Sequence, residues 1–262
     1  SGLEAQAARE ADLVATLTTE LADELARRGV DRSRIMLVPN AADPDSFNAT
    51  QAREKELVEQ LNMPQGVMVV RFAGSVVIYG GLERVMDELA GLKLRNTVDF
   101  VFLLVGAGDH LGDIQARATE LGIDDKCRFA GSVPFDDVQR YITLMDIMPL
   151  PRLPLPVTEM VAALKPLEAM AKAKALVLSD VSPHMTVAGG AGEQLRARLF
   201  AKGNATALAD AIEALIQDPG ERERLGQAGR HWVESERNWN AVTQVYSQAI
   251  LEVMGGTRNT AS

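Results

Sequence analysis

Cysteine is almost absent from this sequence of 262 residues, with Cys127 as the only one. A chain with one cysteine cannot form an internal disulfide and fits a reducing compartment, so we expect a cytoplasmic protein. Positive charge is also scarce, because 27 Lys and Arg residues face 36 Asp and Glu residues, giving a formal net charge of −9. That balance argues against general nucleic-acid binding, which needs clustered positive charge.

Long apolar runs and leader patterns are missing as well. No stretch approaches the roughly 20 apolar residues that a membrane-spanning helix needs, and no signal-peptide pattern opens the sequence. We therefore expect no integral membrane segment. Hydrophobic residues still make up 47% of the sequence. A chain of this length and composition can bury the core of one large α/β domain, or of one domain with appendages.

Short apolar runs alternate with amphipathic helical segments between residues 67 and 200. Runs that are apolar throughout, rather than alternating with polar residues, are typical of strands buried on both faces of a parallel sheet. Strands separated by helices indicate a doubly wound, Rossmann-like α/β fold. The predicted strands are 67–74, 99–105, 128–131, 147–150 and 175–178.

The segment from Leu150 to Asp180 brings charge, proline and hydrophobic pattern together in one place. Arg152 follows a predicted strand, and three prolines around it oppose helix formation. Thr158 and Glu159 then lie where a helix start favours a side-chain oxygen and a negative charge. Lys165 opens a second predicted helix. A charged loop that feeds a helix at the carboxyl end of a strand is where anions bind in open α/β sheets, so we predict a nucleoside diphosphate site.

A glycine-containing loop precedes the helix that is predicted from Leu82. It runs from Gly74-Ser75 to Gly80-Gly81. Glycine lets a ligand approach the backbone closely, and a helix start offers free amides to phosphate. The loop does not match the G-x-G-x-x-G fingerprint, and glycine turns before helices are common, so an ordinary turn remains open as the alternative.

The pattern PR…VTE…LKPLEAMA…SD within residues 151–180 resembles the donor-binding signature of the family 4 glycosyltransferases, which are retaining enzymes with the GT-B fold. The matching branch reads roughly VTELVxPLKPLEAMAxGxPVVASDV. Two further segments agree in order: 131–134 is similar to the start of a GxVPxxxV loop, and 237–239 is similar to an RxW motif. The resemblance covers nearly the whole chain but only about two-thirds of a complete enzyme.

The resemblance implies a domain organisation. Residues 1–48 would be the end of an N-terminal domain and a linker, 49–235 the domain that binds a nucleotide sugar, and 236–262 a C-terminal helix and tail. The chain would then be the C-terminal, donor-binding half of a GT-B enzyme. Its partners would be the nucleotide sugar and an N-terminal acceptor-binding domain.

The resemblance also implies roles for individual residues. Arg152 and Lys165 would hold the pyrophosphate, Glu168 would accept hydrogen bonds from the ribose, and Glu159 would contact the donor sugar, with no metal and no cofactor beyond the donor itself. Arg152, Lys165 and Glu159 are thus the predicted catalytic group. The other predicted donor-binding residues are Gly74, Ser75, Gly80, Gly81, Val133, Pro134 and Thr158.

Several positions depart from the family pattern. The first glutamate of the family's E-x7-E motif falls at Met160, one position after Glu159. An arginine and a lysine that the broader family uses for pyrophosphate are replaced by Ser75 and Gly80. The family's proline, glycine and proline are replaced by Ala163, Ala173 and Ala175.

These departures leave alternatives open. Losing a glycine where the backbone meets a ligand narrows a pocket, so the second hypothesis is a degenerate, non-catalytic module for sugar-nucleotide binding or interaction. A third hypothesis, an unrelated doubly wound regulator, explains the strands but not the motifs. Lys165 and Glu168 also have the spacing of a helical ion pair of little energetic value, which would need no ligand at all.

Overall fold

The computed structural model describes residues 2–46, 53–189 and 194–258. The predicted domain boundary at residues 48 and 49 lies outside them. The strands are β1 Val14–Thr16, β2 Ile35–Leu37, β3 Met68–Ala73, β4 Phe100–Val105, β5 Cys127–Gly131, β6 Ile147–Leu150, β7 Ala175–Ser179 and β8 Arg198–Phe200. The helices are α1 Gly2–Glu10, α2 Thr19–Arg27, α3 Lys55–Gln60, α4 Leu82–Arg95, α5 Leu111–Glu120, α6 Phe135–Thr143, α7 Pro156–Met160, α8 Lys165–Ala171, α9 Ser182–Ala188, α10 Ala205–Gln217, α11 Pro219–Glu236 and α12 Trp239–Arg258.

Strands β3 to β8 form one parallel sheet in the order β5-β4-β3-β6-β7-β8. Counted from β3 as the first strand, this is the order 3-2-1-4-5-6 of doubly wound nucleotide-binding folds. The predicted α/β fold class is confirmed. The order reverses between β3 and β6, so the connections that leave these two neighbouring strands run to opposite sides and open a crevice at their carboxyl ends.

The sheet lies in the middle layer because its strands are apolar on both faces. In β4, Phe102 and Leu104 pack into the cluster that α4 and α10 cover, whereas Val101 and Leu103 pack against α3 and α6 on the other face. Every residue of β4 is buried. This explains why the apolar runs of the sequence predict the strands of the main sheet well.

The start of α7 differs from the prediction. Thr158 and Glu159 were expected at the helix start, but the helix begins two residues earlier, at Pro156. Proline fits the first helical position because its missing N–H would have no partner there. The Thr158 hydroxyl accepts a hydrogen bond from the backbone N–H of Leu155 at 3.0 Å, and so caps the helix from its third position.

Residues 2–46 form a small unit of their own, with β1 and β2 as a two-stranded parallel sheet. Side chains from this unit fasten it to the loop after α7: the Thr18 hydroxyl donates to the carbonyl of Met160 at 2.6 Å, and the Asn40 amide donates to that of Ala162 at 3.2 Å. The chain end also contacts the unit, since the backbone N–H of Ala42 donates to Arg237 at 2.8 Å.

The C-terminal helix expected within 236–262 is α12, which runs through Gly255 to Arg258, while residues 259–262 lie outside the described part. Glycine in a helix costs about 1 kcal/mol relative to alanine. Extending an existing helix needs no new nucleus, however, so it can absorb that cost. No helix within the described ranges is both long and apolar enough to cross a membrane.

A tight contact joins α11 to the turn between α8 and β7. Gly226 packs directly on the carbonyl of Ala173, so a β-carbon at position 226 would overlap that oxygen. Ala173 itself has a φ of +51°, a left-handed conformation that L-residues other than glycine rarely adopt. The family's glycine at this position is therefore explained by the turn.

We predict that Gly226→Ala lowers the free energy of unfolding by roughly 1–3 kcal/mol, because the new methyl group meets rigid backbone. The matched control is Gly91→Ala in α4, where a β-carbon would meet nothing within 4 Å. That change should raise the free energy of unfolding by up to about 1 kcal/mol through helix propensity. Urea denaturation of both variants checks the prediction, and a stabilising Gly226→Ala would contradict it.

Candidate functional site

The crevice lies where β3 and β6 end side by side. Gly74 follows β3 and Pro151 follows β6. The backbone N–H of Gly74 donates to Val105 of β4 at 2.9 Å, and that of Gly106 donates to Gly131 of β5 at 2.7 Å. The loops after four strands therefore form one continuous rim along the carboxyl edge of the sheet.

Lys165 reaches this rim from the first position of α8. Its ammonium nitrogen lies 4.9 Å from the centre of the Phe72 ring, and its side chain passes over Gly74 so closely that a β-carbon there would overlap it. Gly74 also has a φ of +124°, which favours glycine. Burial, followed by the nearby Arg152, lowers the pKa of Lys165 below its ordinary value, although Glu168 acts in the opposite direction.

Arg152 lies beside Lys165, in the loop after β6. One guanidinium nitrogen, Nη1, donates to the carbonyl of Val161 at 2.6 Å and so ties the loop to the end of α7. Burial lowers the pKa of Arg152, and nearby Tyr79 opposes that effect. Pro151 directly precedes Arg152, and Gly81 packs against the carbonyl of Pro151. Gly81 has a φ of +73°, which again favours glycine.

Two half-buried cations thus lie at the crevice with little neutralisation. In the part of the chain that the structure describes, neither Arg152 nor Lys165 forms a salt bridge with a carboxylate. Keeping two like charges close together in partly desolvated surroundings is unfavourable unless an anion offsets them. Chemically, the arrangement suits a ligand with two or more negative charges.

Glu168 lies one helical turn after Lys165 and is partly buried. Burial raises the pKa of its carboxyl, while Arg71 and then Lys165 oppose the shift. The alternative interpretation, a direct ion pair between Lys165 and Glu168, is not formed among the described residues, because the ammonium group lies over Phe72 instead. Lys165 and Glu168 share a small cavity beneath the crevice.

The structure places Glu159 and Thr158 in other contacts. The Glu159 carboxylate binds the Lys202 ammonium at 2.6 Å and accepts from the backbone N–H of Ser182 at 3.1 Å. Partial burial raises the pKa of Glu159, but these two hydrogen bonds outweigh it and leave the pKa lowered. Thr158 is buried, and its hydroxyl lies within hydrogen-bond distance of the carbonyls of Leu153 and Leu155 in the same loop.

The remaining predicted donor-binding residues lie on the rim. Ser75 is exposed beside Gly74, and Gly80 and Gly81 precede α4. Val133 and Pro134 follow β5, two strands away from β3 in the sheet.

Ala173 and Ala175 lie at the amino end of β7, on the edge opposite the crevice. The suggestion that the replacement of glycine by Ala173 narrows the pocket is therefore wrong. They belong to the turn between α8 and β7, and the backbone of that turn packs on α11.

Sequence reasoning missed two buried polar residues near the crevice. Arg71 in β3 is only 1% exposed, and its Nε and Nη2 have no hydrogen-bond partner within the described ranges. His184 in α9 places Nδ1 3.0 Å from the carbonyl of Ser179, while burial lowers its pKa to about 4 and keeps the ring neutral at pH 7. A charged residue inside an apolar strand run was the signal available for Arg71.

Solved structures with a similar fold include a glycosyltransferase from Rickettsia africae, with a TM-score of 0.82 and 16% identity over 97% of this chain and 68% of that one. An Anabaena HepE protein in complex with UDP has a TM-score of 0.81 and 17% identity, covering 94% of this chain and 65% of that one. At these identities the likeness establishes the fold alone.

Among curated proteins, a 2-deoxystreptamine glucosyltransferase of Streptomyces kanamyceticus is 29% identical over 90% of this chain and 59% of its own length. A GDP-mannose-dependent phosphatidylinositol monomannoside mannosyltransferase of Mycobacterium tuberculosis is 24% identical over 78% of this chain and 52% of its own length. The chain thus spans between half and three-fifths of these relatives.

The family model for glycosyl transferases group 1 matches residues 53–232. This range includes the whole of the sheet from β3 to β8 and every residue of the crevice described above. The resemblance seen in the sequence is confirmed, and the chain belongs to the glycosyl transferases of group 1.

Proposed function

We propose that this chain is the donor-binding half of a retaining glycosyltransferase that takes a nucleoside diphosphate sugar. The observation that carries the proposal is the pair formed by Arg152 and Lys165, two half-buried cations without a carboxylate partner in the described residues, at the point where the strand order reverses. A pyrophosphate supplies the negative charge that this pair lacks.

The same pair explains how the site would promote reaction. Negative charge builds on the diphosphate leaving group as the glycosidic bond breaks, and fixed positive charge in a partly desolvated site stabilises that change. Neither cation has to move, since Arg152 is held by Val161 and Lys165 by the contact with Phe72. This chemistry needs no metal ion, so metal-independent transfer is part of the proposal.

Glu168 and the rim loops would hold the nucleoside. A carboxylate one turn after Lys165 is close enough to accept hydrogen bonds from a ribose whose diphosphate lies on the cations. Backbone groups near Val133 and Pro134 would read the base at the carboxyl end of β5. HepE was solved with UDP-glucose, and the mycobacterial relative is named as GDP-mannose-dependent, so UDP and GDP are the first probes.

The proposal includes a second domain that binds the acceptor. The chain covers 59% of its Streptomyces relative, and the two-stranded sheet of residues 2–46 is too small to form a core alone. Leu17 and Leu37, which flank that sheet, are 40% and 43% exposed. A cytoplasmic location is likewise proposed from the single, buried cysteine.

One observation favours the second candidate function, a sugar-nucleotide-binding module without transfer activity. Glu159 is bound to Lys202 and Ser182 rather than lying open to a donor sugar, and the family's glutamate position is taken by Met160. Binding of the nucleotide would then be intact while transfer is lost. Nucleotide binding and sugar transfer, measured separately, distinguish the two functions.

We predict that UDP or GDP binds this chain roughly a hundredfold or more tightly than uridine or guanosine, because the Arg152 and Lys165 charges act only on the phosphates. Two charge-assisted hydrogen bonds of about 1.5–3 kcal/mol each are sufficient for that ratio. Isothermal titration calorimetry in EDTA and in magnesium measures it. Equal affinity for nucleoside and nucleotide, or a strict magnesium requirement, would contradict the assignment.

We predict that Glu168→Gln weakens binding of the same nucleotide roughly tenfold or more, because the variant loses a charge-assisted hydrogen bond of about 1.5–3 kcal/mol to the ribose. The melting temperature of the free protein should also fall, because the substitution removes the carboxylate that faces the buried Arg71, so nucleotide affinity is the deciding measurement. Glu88→Gln in α4 is the control, since burial also raises the pKa of Glu88 but this residue faces away from the crevice, toward Arg95 and Asp210. Glu168 is removed from the site if only the melting temperature responds.

We predict that the isolated chain transfers or hydrolyses donor sugar only marginally, because half of the cleft that excludes water and positions the acceptor is outside it. Product formation from UDP-glucose and GDP-mannose is measured with and without the remainder of the full-length protein supplied in trans. Robust transfer by the chain alone would overturn the two-domain proposal. No transfer under either condition, with nucleotide binding retained, would support the non-catalytic module.

A further inference from the structure

Arg71 is a charged residue in the middle of the first strand of the main sheet. Arginine is almost never fully buried unless it is paired, yet this side chain is 1% exposed. Among the described residues, its Nε and Nη2 atoms donate no hydrogen bond. Buried donors without a hydrogen bond lower the stability of the folded state, so Arg71 is expected to interact with a nearby acceptor.

The cavity beside Arg71 contains one residue that can serve as this acceptor. Arg71, Lys165 and Glu168 face the same cavity of about 20 Å³, whose other lining residues are apolar, namely Ala73, Val138, Ile142, Met145, Met148 and Ala169. Glu168 is thus the one carboxylate among the residues that line it. The two groups are not in direct contact, but a cavity of this size accommodates a single bridging water.

The charges on the two groups are coupled. Burial lowers the pKa of Arg71 to about 10, so the guanidinium stays charged at pH 7, and Glu168 opposes the lowering. The charged groups that face Glu168 are Arg71 from β3 and Lys165 from its own helix, while the described side chains of α6 facing the cavity are apolar. Lys165 is the residue assigned to the pyrophosphate, so Arg71 is the cation left to act on Glu168 throughout the binding cycle.

We propose that Arg71 is a positioning residue, whose buried guanidinium keeps the Glu168 carboxylate ionised and fixed in place beneath the nucleotide crevice. The inference deepens the proposed function and rests on it for the role of Glu168 toward ribose. Arg71 itself touches no substrate in this account. It acts through Glu168, from the cavity that the two residues share.

The first experiment measures the pKa of the Glu168 carboxyl by carbon-13 NMR in the chain without nucleotide, with Glu168→Gln assigning the signal. Arg71→Met and Arg71→Gln should each raise that pKa by roughly one unit or more, because an opposite charge nearby lowers a carboxyl pKa by about 1–3 units. Arg71→Lys should restore most of the native value. Lys174→Met is the matched control, since Lys174 is also a half-buried cation but lies at the amino edge of the sheet near Asp146.

The second experiment measures UDP affinity as the pH is lowered. The ionised carboxylate is the better acceptor for ribose, so affinity is lost as the pH falls through the pKa of Glu168. Arg71→Met should move that loss to higher pH by the same roughly one unit. In the Glu168→Gln background, Arg71→Met should not change the pH at which UDP affinity is lost. The titration of UDP itself affects all variants equally.

An unchanged Glu168 pKa in folded Arg71→Met or Arg71→Gln overturns the inference, even if UDP binds. Equal effects of Arg71→Met with and without Glu168 would also overturn it, because they would show a structural role alone. If the pKa shift occurs but the native chain binds neither UDP nor GDP, the proposed function fails while the coupling of Arg71 to Glu168 stands.

Discussion

Electrostatic repulsion between two partly buried cations, Arg152 and Lys165, is the constraint on which the crevice depends. Arg152 comes from the loop after β6 and Lys165 from the start of α8, and each is partly removed from water. Neither forms a salt bridge with a carboxylate in the described part of the chain, so an anionic ligand would offset their charges. Gly74 lets the Lys165 side chain reach the crevice, because any side chain at position 74 would occupy the position of the Lys165 ammonium group.

The parallel sheet determines where this constraint acts. With the strand order β5-β4-β3-β6-β7-β8, the carboxyl ends of β3 and β6 are neighbours, although Ala73 and Leu150 are far apart in sequence. Apolar packing on both faces of the sheet fixes those ends, and the loops that leave them inherit their positions. The crevice is therefore a consequence of sheet topology, and the charged residues only decide which ligand suits it.

Much of this was predictable from the sequence, because uninterrupted apolar runs encode buried parallel strands directly. The positions of Lys165 and Gly74 followed from the strand ends beside them. The contacts of Glu159 and Thr158 were not predictable, since they depend on Lys202 beyond β8 and on the carbonyls of one irregular loop. The prediction that Ala173 narrows the pocket failed for a related reason. The sequence pattern shows that a glycine is replaced, but only the fold shows on which edge of the sheet the replacement lies.

Arg71 and the two crevice cations illustrate the difference between residues that contribute to donor binding and residues that contribute to the reaction rate. Interactions that hold donor and transition state equally well improve binding without accelerating the reaction. On the proposed function, an ionised Glu168 beneath the ribose would act equally in both states, and so would serve affinity. On the same proposal, Arg152 and Lys165 would act more strongly as charge develops on the leaving diphosphate, and so would serve the rate. The effect on the rate needs water to be excluded from the crevice, which the other domain would do. The effect on affinity needs only Arg71 and Glu168, which both lie in this chain.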